Sequence, residues 1–161
     1  MRRTRFLQSV AAGLILAVVA TPAAGQAGKL PIISARQFTG GSAQVTVRGS
    51  VQIDQGVAIN TQASVGDGEV TWLQFGASGS EAPNALITYG ETGEIGVSVG
   101  KGKFVATAGI VPGEKPQCAG KTDVTGTSVS GHYTCKGVTS HDGATSKMGK
   151  VDIEVRFTAK S

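Results

Sequence analysis

Lys150–Thr158 reads KVDIEVRFT, and its strict alternation decides the fold. Successive side chains of a strand point to opposite faces, so one face of this segment is polar and the other is apolar. The apolar face consists of Val151, Ile153, Val155 and Phe157. The pattern predicts an antiparallel strand with one face on a core and the other in solvent.

Similar signals recur on the N-terminal side of this strand. Gly131–Val138 alternates, with Tyr133 and Cys135 on one face, and the turn-rich stretch Thr139–Gly149 is interpreted as a long hairpin loop. Ser42–Asp54 is interpreted as one strand. We therefore expect an all-β fold of about eight or nine short strands, forming a single antiparallel β-sandwich that is immunoglobulin-like or jelly-roll-like, with a small barrel as the alternative.

The N-terminus has the features of a helical signal peptide. Arg2, Arg3 and Arg5 precede the apolar run Val10–Ala20, and small residues follow Pro22. This order is typical of secretion signals, and the run is shorter than the roughly 20 residues that span a bilayer. We interpret residues 1–24 as the signal, with cleavage between 23 and 27, residues 25–41 as a tail or edge strand, and residues 42–161 as the β domain.

Removal of the signal peptide takes away most of the excess positive charge, and this restricts the classes of partner that are expected. The full chain has 15 basic and 11 acidic residues, and three of the basic residues leave with the signal, so the mature chain is close to neutral. A basic surface for nucleic acid is therefore not expected. No membrane span is expected after removal of the signal. The expected location is the periplasm, the cell surface or the extracellular medium.

The two cysteines, Cys118 and Cys135, are predicted to form a structural disulfide, because exported proteins oxidise such pairs. Closing this loop restricts the unfolded chain and contributes about 3 kcal/mol in the loop-entropy treatment. The spacing matches neither a redox motif nor a zinc site.

The polar group His132, His141 and Asp142 is the candidate metal or hydrolytic site, although solvated loop histidines are the favoured interpretation. Trp72 and Tyr89 are the candidate ligand-binding residues. If they were exposed together they could stack on a glycan, but a core position for Trp72 is favoured, because large aromatic side chains dominate small cores. No catalytic residue and no cofactor is assigned.

The general layout is similar to that of many small bacterial surface or secreted domains. It resembles secreted mycobacterial lipoprotein antigens but lacks their lipid-anchor cysteine. The favoured hypothesis is a non-enzymatic binding, surface or assembly domain with a protein or glycan partner, or one that self-associates through an edge strand at Leu30–Ile33 or Val45–Ile53. The alternatives are a small secreted hydrolase or metal enzyme using His132, His141 and Asp142, and a small outer-membrane β-barrel.

Overall fold

The computed structural model describes residues 36–62, 64–66, 71–90, 93–111 and 113–161. The predicted signal peptide and the segment Leu30–Ile33 lie outside these ranges. Eleven strands are present in the described residues, two of them only two residues long. They are β1 Arg36–Gln37, β2 Gly40–Gly49, β3 Ile53–Ala58, β4 Val65–Gly66, β5 Thr71–Phe75, β6 Asn84–Tyr89, β7 Ile95–Lys101, β8 Phe104–Ile110, β9 Cys118–Thr125, β10 Ser128–Asp142 and β11 Lys147–Lys160.

All pairings between these strands are antiparallel and belong to one sheet, in the order β1-β4-β5-β6-β7-β8-β10-β11-β2-β3. The sheet nearly closes on itself, because Ile59 forms an isolated bridge with Phe75 and the Gly76 N–H donates to the Ala58 carbonyl at 2.8 Å. The all-β antiparallel class is confirmed. The two-sheet sandwich is not confirmed, and the arrangement is barrel-like.

β10 is the longest strand and is shared by three neighbours. Its first half pairs with β9, its last three residues pair with β8, and β11 follows nearly its whole length on the other side. β9 pairs only with β10. β2 pairs with both β11 and β3, so the prediction of an edge strand at Val45–Ile53 is wrong.

The apolar alternation of β11 fills the interior as the sequence predicts, with Ile153 and Val155 fully buried. The Phe157 ring lies between Phe75 and Tyr133, with centroids 5.8 and 6.3 Å apart. Such aromatic pairs contribute about 0.5–1.5 kcal/mol beyond the area they bury. Gly131 faces Phe157 across the sheet, and a Cβ at this position would lie 2.5 Å from the ring. The glycine therefore makes room for the central aromatic ring of the core.

Two sequence-based boundaries are wrong. Ser42–Asp54 is not one strand but a tight hairpin, because β2 ends at Gly49 and Val47 pairs with Ile53. Thr139–Gly149 is not a long loop, since β10 continues to Asp142 and β11 begins at Lys147. Gly49 occupies a close backbone contact, because a Cβ there would overlap the Lys150 carbonyl oxygen.

Candidate functional site

The outer surface of the sheet divides into two parts that differ in charge. The outward-facing side chains of β5–β8 alternate with buried ones and include no charged residue. We call this surface the neutral face, and it consists of Trp72, Gln74, Asn84, Leu86, Thr88, Gly96, Ser98, Val105, Thr107 and Gly109. The outward-facing side chains of β9, β10, β11, β2 and β3 form the charged face. Its ionisable members include Arg48, Asp54, Lys121, Asp123, His132, Lys136, His141, Lys150, Asp152, Glu154, Arg156 and Lys160.

Trp72 is the largest exposed side chain of the neutral face. Its exposed fraction is 49%, whereas Leu73 and Phe75 on the same strand are fully buried. The favoured core position for Trp72 is therefore wrong, because β5 turns Leu73 and Phe75 inward. Within the described ranges its indole N–H has no hydrogen-bond partner and its ring contacts no other aromatic ring. This side chain is open to a ligand.

Tyr89, the other predicted ligand-binding residue, lies inside the sheet and not beside Trp72. Its hydroxyl is 2.7 Å from Thr122 Oγ1, which is in turn 2.7 Å from the Tyr133 hydroxyl. Burial raises the pKa of Tyr89 well above its ordinary value of 10.0, and burial also raises the pKa of Tyr133. This polar chain links β6, β9 and β10 in the interior, and its role is structural.

His132 lies on the charged face and pairs with Glu154. Its Nε2 is 2.9 Å from Glu154 Oε1, which also accepts from the Arg156 guanidinium at 2.8 Å. The hydrogen bond from Arg156, followed by the one from His132, lowers the pKa of Glu154. A shallow groove of about 530 Å³ passes beside His132. Lys121, which lines the same groove, is 3.0 Å from Asp123, so the charges of the groove compensate one another.

His141 and Asp142 lie at the C-terminal end of β10. His141 follows His132 by nine positions along this strand. At about 3.3 Å per residue this separates the two histidines by roughly 25–30 Å. Asp142 shapes the adjoining turn, since its carboxylate accepts from the Ala144 N–H at 2.9 Å and from the Thr145 hydroxyl at 2.7 Å. The Thr145 hydroxyl and then the Ala144 N–H lower the pKa of Asp142.

The structure therefore does not bring the three predicted metal or hydrolytic residues together. Among the described residues, no group of three or more His, Cys, Asp or Glu side chains is placed to hold a metal ion. The geometry of a shared metal, or of a nucleophile with its base, requires side chains within hydrogen-bond or ligand distance. Chemistry that depends on joint action of His132 and His141 is not supported by this placement.

Cys118 and Cys135 form a disulfide with an S–S distance of 2.11 Å, as the sequence predicts. The two residues are register partners on β9 and β10, so the bond fastens the start of β9 to the strand with which it pairs. The bond is compatible with an oxidising, exported location. In the described part of the chain, no helix has the length and apolar character needed to cross a membrane.

The neutral face itself was not predicted from the sequence, although a signal for it exists. The segments that form β5–β8 contain a single charged residue, Lys101 at the end of β7, and among the described residues Glu81, Glu94 and Lys103 lie between these strands. No family model, no curated protein and no solved structure matches this chain.

Proposed function

We propose that this chain is a non-enzymatic binding domain of an exported bacterial protein, and that the neutral face contacts its partner. The half-exposed indole of Trp72 carries the proposal. Tryptophan is enriched among the residues that contribute most to binding energy, because a rigid ring buries a large area at a small entropic cost. Among the described residues, the feature that a ligand would use is an exposed tryptophan that has no hydrogen-bond or aromatic partner and lies on a face without charged side chains.

Export is supported by the sequence of residues 1–24 and by the oxidised state of Cys118 and Cys135. The location would be the periplasm, the cell surface or the medium. The non-enzymatic part of the proposal is supported by the separation of His132 from His141 along β10 and by the ion pairs that already occupy Glu154 and Asp152. These groups stabilise the charged face and are engaged with one another.

The test is binding of purified protein to the envelope fraction and the secreted polymers of the producing bacterium, measured by sedimentation. We expect Trp72→Ala to reduce the bound fraction about tenfold or more, as loss of a central aromatic contact does. Met148→Ala is the matched control, because it removes an apolar side chain that is 66% exposed on β11. Equal binding by the Trp72→Ala variant and the wild-type protein would contradict the proposal.

A further inference from the structure

The register of β5–β8 places small residues in line with the indole. Trp72 pairs with Thr88, Thr88 with Gly96, and Gly96 with Gly109. Since neighbouring strands are about 4.8 Å apart, this row crosses the neutral face over about 14 Å. An extended ligand could lie along the row with one end on the Trp72 ring.

The two glycines of this row keep the surface beside Trp72 low. A Cβ on Gly96 would overlap the Thr88 hydroxyl, and a Cβ on Gly109 would lie 2.9 Å from the Ile95 carbonyl oxygen. A larger residue at position 109 would crowd the backbone of the neighbouring strand, and one at position 96 would displace the Thr88 hydroxyl; either would raise the surface. The Trp72 indole therefore projects at one end of a row whose other end is low, because Gly96 and Gly109 have no side chains. The Thr88 hydroxyl lies next to Gly96 in this row.

The adjacent row supplies hydrogen-bonding groups that carry no charge. Ser98 Oγ and Thr107 Oγ1 lie 2.9 Å apart on neighbouring strands and bond to each other. Each hydroxyl retains capacity for a further bond, because a hydroxyl has one donor and two acceptor positions. Together with the indole N–H of Trp72, these groups can donate to and accept from the hydroxyls of a ligand.

We propose, on the premise that the neutral face is the binding surface, that its ligand is a neutral polysaccharide with one sugar ring stacked on Trp72. A sugar ring presents C–H groups on its faces and hydroxyls around its rim. Its faces therefore match an indole and its rim matches uncharged donors and acceptors. No cation on the neutral face would pair with the carboxylates or sulfates of an acidic polymer. This chemistry selects an uncharged chain.

The chemistry of the face favours a saccharide over a protein partner. Stable protein interfaces bury about 800 Å² on each side around a cluster of apolar and aromatic contacts. Beside Trp72, the neutral face offers two larger apolar side chains, the partly buried Leu86 and the exposed Val105, and otherwise glycine, serine, threonine, asparagine and glutamine. One aromatic ring with small polar neighbours suits a narrow ligand that lies flat.

The test uses Trp72 itself as the reporter, because the chain has one tryptophan. The intact protein is titrated with cellohexaose, laminarihexaose and mannohexaose, and with polygalacturonate as the acidic comparison, while tryptophan emission is recorded. We expect a saturable change with at least one neutral oligosaccharide and none with polygalacturonate. Calorimetry should show that affinity falls about tenfold or more in Trp72→Ala and is unchanged in Met148→Ala.

The outcomes separate this inference from the function on which it rests. If none of the neutral oligosaccharides changes the emission, or if only polygalacturonate does, the saccharide inference is overturned. In that case a loss of envelope binding by Trp72→Ala would still leave the neutral face as the binding surface. If the oligosaccharides bind Trp72→Ala and the wild-type protein equally, both the ligand and the surface are wrongly assigned.

Discussion

Thr122 connects two buried phenol groups by a single hydroxyl. Its Oγ1 is 2.7 Å from the Tyr89 hydroxyl and 2.7 Å from the Tyr133 hydroxyl. The Tyr89 and Tyr133 side chains belong to the core. If one of their hydroxyls lost its hydrogen-bond partner, it could not bond to bulk water instead without a cost in free energy. A buried hydroxyl deprived of its partner destabilises the folded state by about 1–3 kcal/mol.

We therefore expect Thr122→Val, which keeps the shape and removes the hydroxyl, to lower the free energy of unfolding by about 1–3 kcal/mol. Urea denaturation followed by circular dichroism measures the change. Thr107→Val is the control, because the Thr107 hydroxyl bonds to Ser98 on the exposed side of the sheet. Its effect should stay within about 0.5 kcal/mol. Equal losses in the two variants would rule out a special role for the interior chain.

The alternation of apolar residues predicts the buried face of a strand better than it predicts whether an individual aromatic side chain is buried. In β5, Leu73 and Phe75 share a face, which the sequence shows, and both are buried. Size alone suggests that Trp72 is also in the core, but a strand that turns Leu73 and Phe75 inward turns the alternate residues, Trp72 and Gln74, outward. Whether that outward position is covered depends on the neighbouring strands, which one strand's sequence does not identify.

A bulge in β10 changes which residues face the core. The register with β11 shifts between Cys135 and Val138, and Gly137 adopts a left-handed conformation with φ of 61°. Asp152 on β11 fixes the bulge, since its carboxylate accepts from the Gly137 N–H at 2.9 Å and from Lys136 Nζ at 2.8 Å. Val138 is therefore buried on the same side as Cys135.

Gly137→Ala tests how strongly this conformation depends on glycine. A Cβ at Gly137 would have no atom within 4 Å, so the cost is conformational and should be about 1–2 kcal/mol of unfolding free energy. Gly40→Ala is the matched control, because Gly40 also has open space around its Cβ and has no positive φ. It should be neutral or stabilising by up to about 1 kcal/mol. If Gly137→Ala left the free energy of unfolding unchanged, the bulge would have shifted to a conformation that alanine adopts without strain.

The same bulge explains which part of β10 the sequence predicted. Up to Cys135 the period-two pattern holds, and Tyr133 and Cys135 point inward as expected. Beyond the bulge the pattern is offset by one residue, so Val138 and Ser140 are buried while His141 is exposed. Residues 139–142 at the end of β10 are interpreted from the sequence as part of a loop because they belong to a turn-rich stretch, and the offset removes the alternation that would have indicated a strand. One inserted residue is enough to hide a strand end from a periodicity argument.

At the scale of the whole molecule, the charged and the uncharged outward-facing side chains lie on different parts of the near-closed sheet. β9, β10 and β11 come from the end of the chain and meet β2 and β3 from its beginning, which unites the charged face. The strands β5–β8, of which Lys101 at the end of β7 is the single charged residue, are consecutive and form the neutral face. The sequence predicts the all-β class and eight or nine strands, which is close to the nine strands longer than two residues among the described residues. The joining of distant segments depends on closure of the sheet, which local patterns do not encode.

Three carboxylates of the charged face, those of Asp54, Asp152 and Glu154, have a lowered pKa and so favour the ionised form. The Arg48 guanidinium, followed by the Gln44 amide, lowers the pKa of Asp54 below its ordinary 3.8. The Lys136 ammonium, followed by the Gly137 N–H, lowers the pKa of Asp152. The hydrogen bonds from Arg156 and then His132 likewise lower the pKa of Glu154 below its ordinary 4.5. In the acid range the unfolded chain therefore binds more protons than the folded protein, and the stability increases with pH.

We expect the free energy of unfolding to hold above about pH 5 and to fall as the pH decreases from about 4.5 through the lowered folded-state pKa values. Urea denaturation at pH 6, 4 and 3 measures this dependence. Asp152→Asn should flatten it, because the variant removes one carboxylate that ionises more readily in the folded state than in the unfolded chain. Added salt should weaken it as well, since these pairs are exposed and screened. A stability that is equal at pH 6 and pH 3 would show that the ion pairs of the charged face do not favour the folded state.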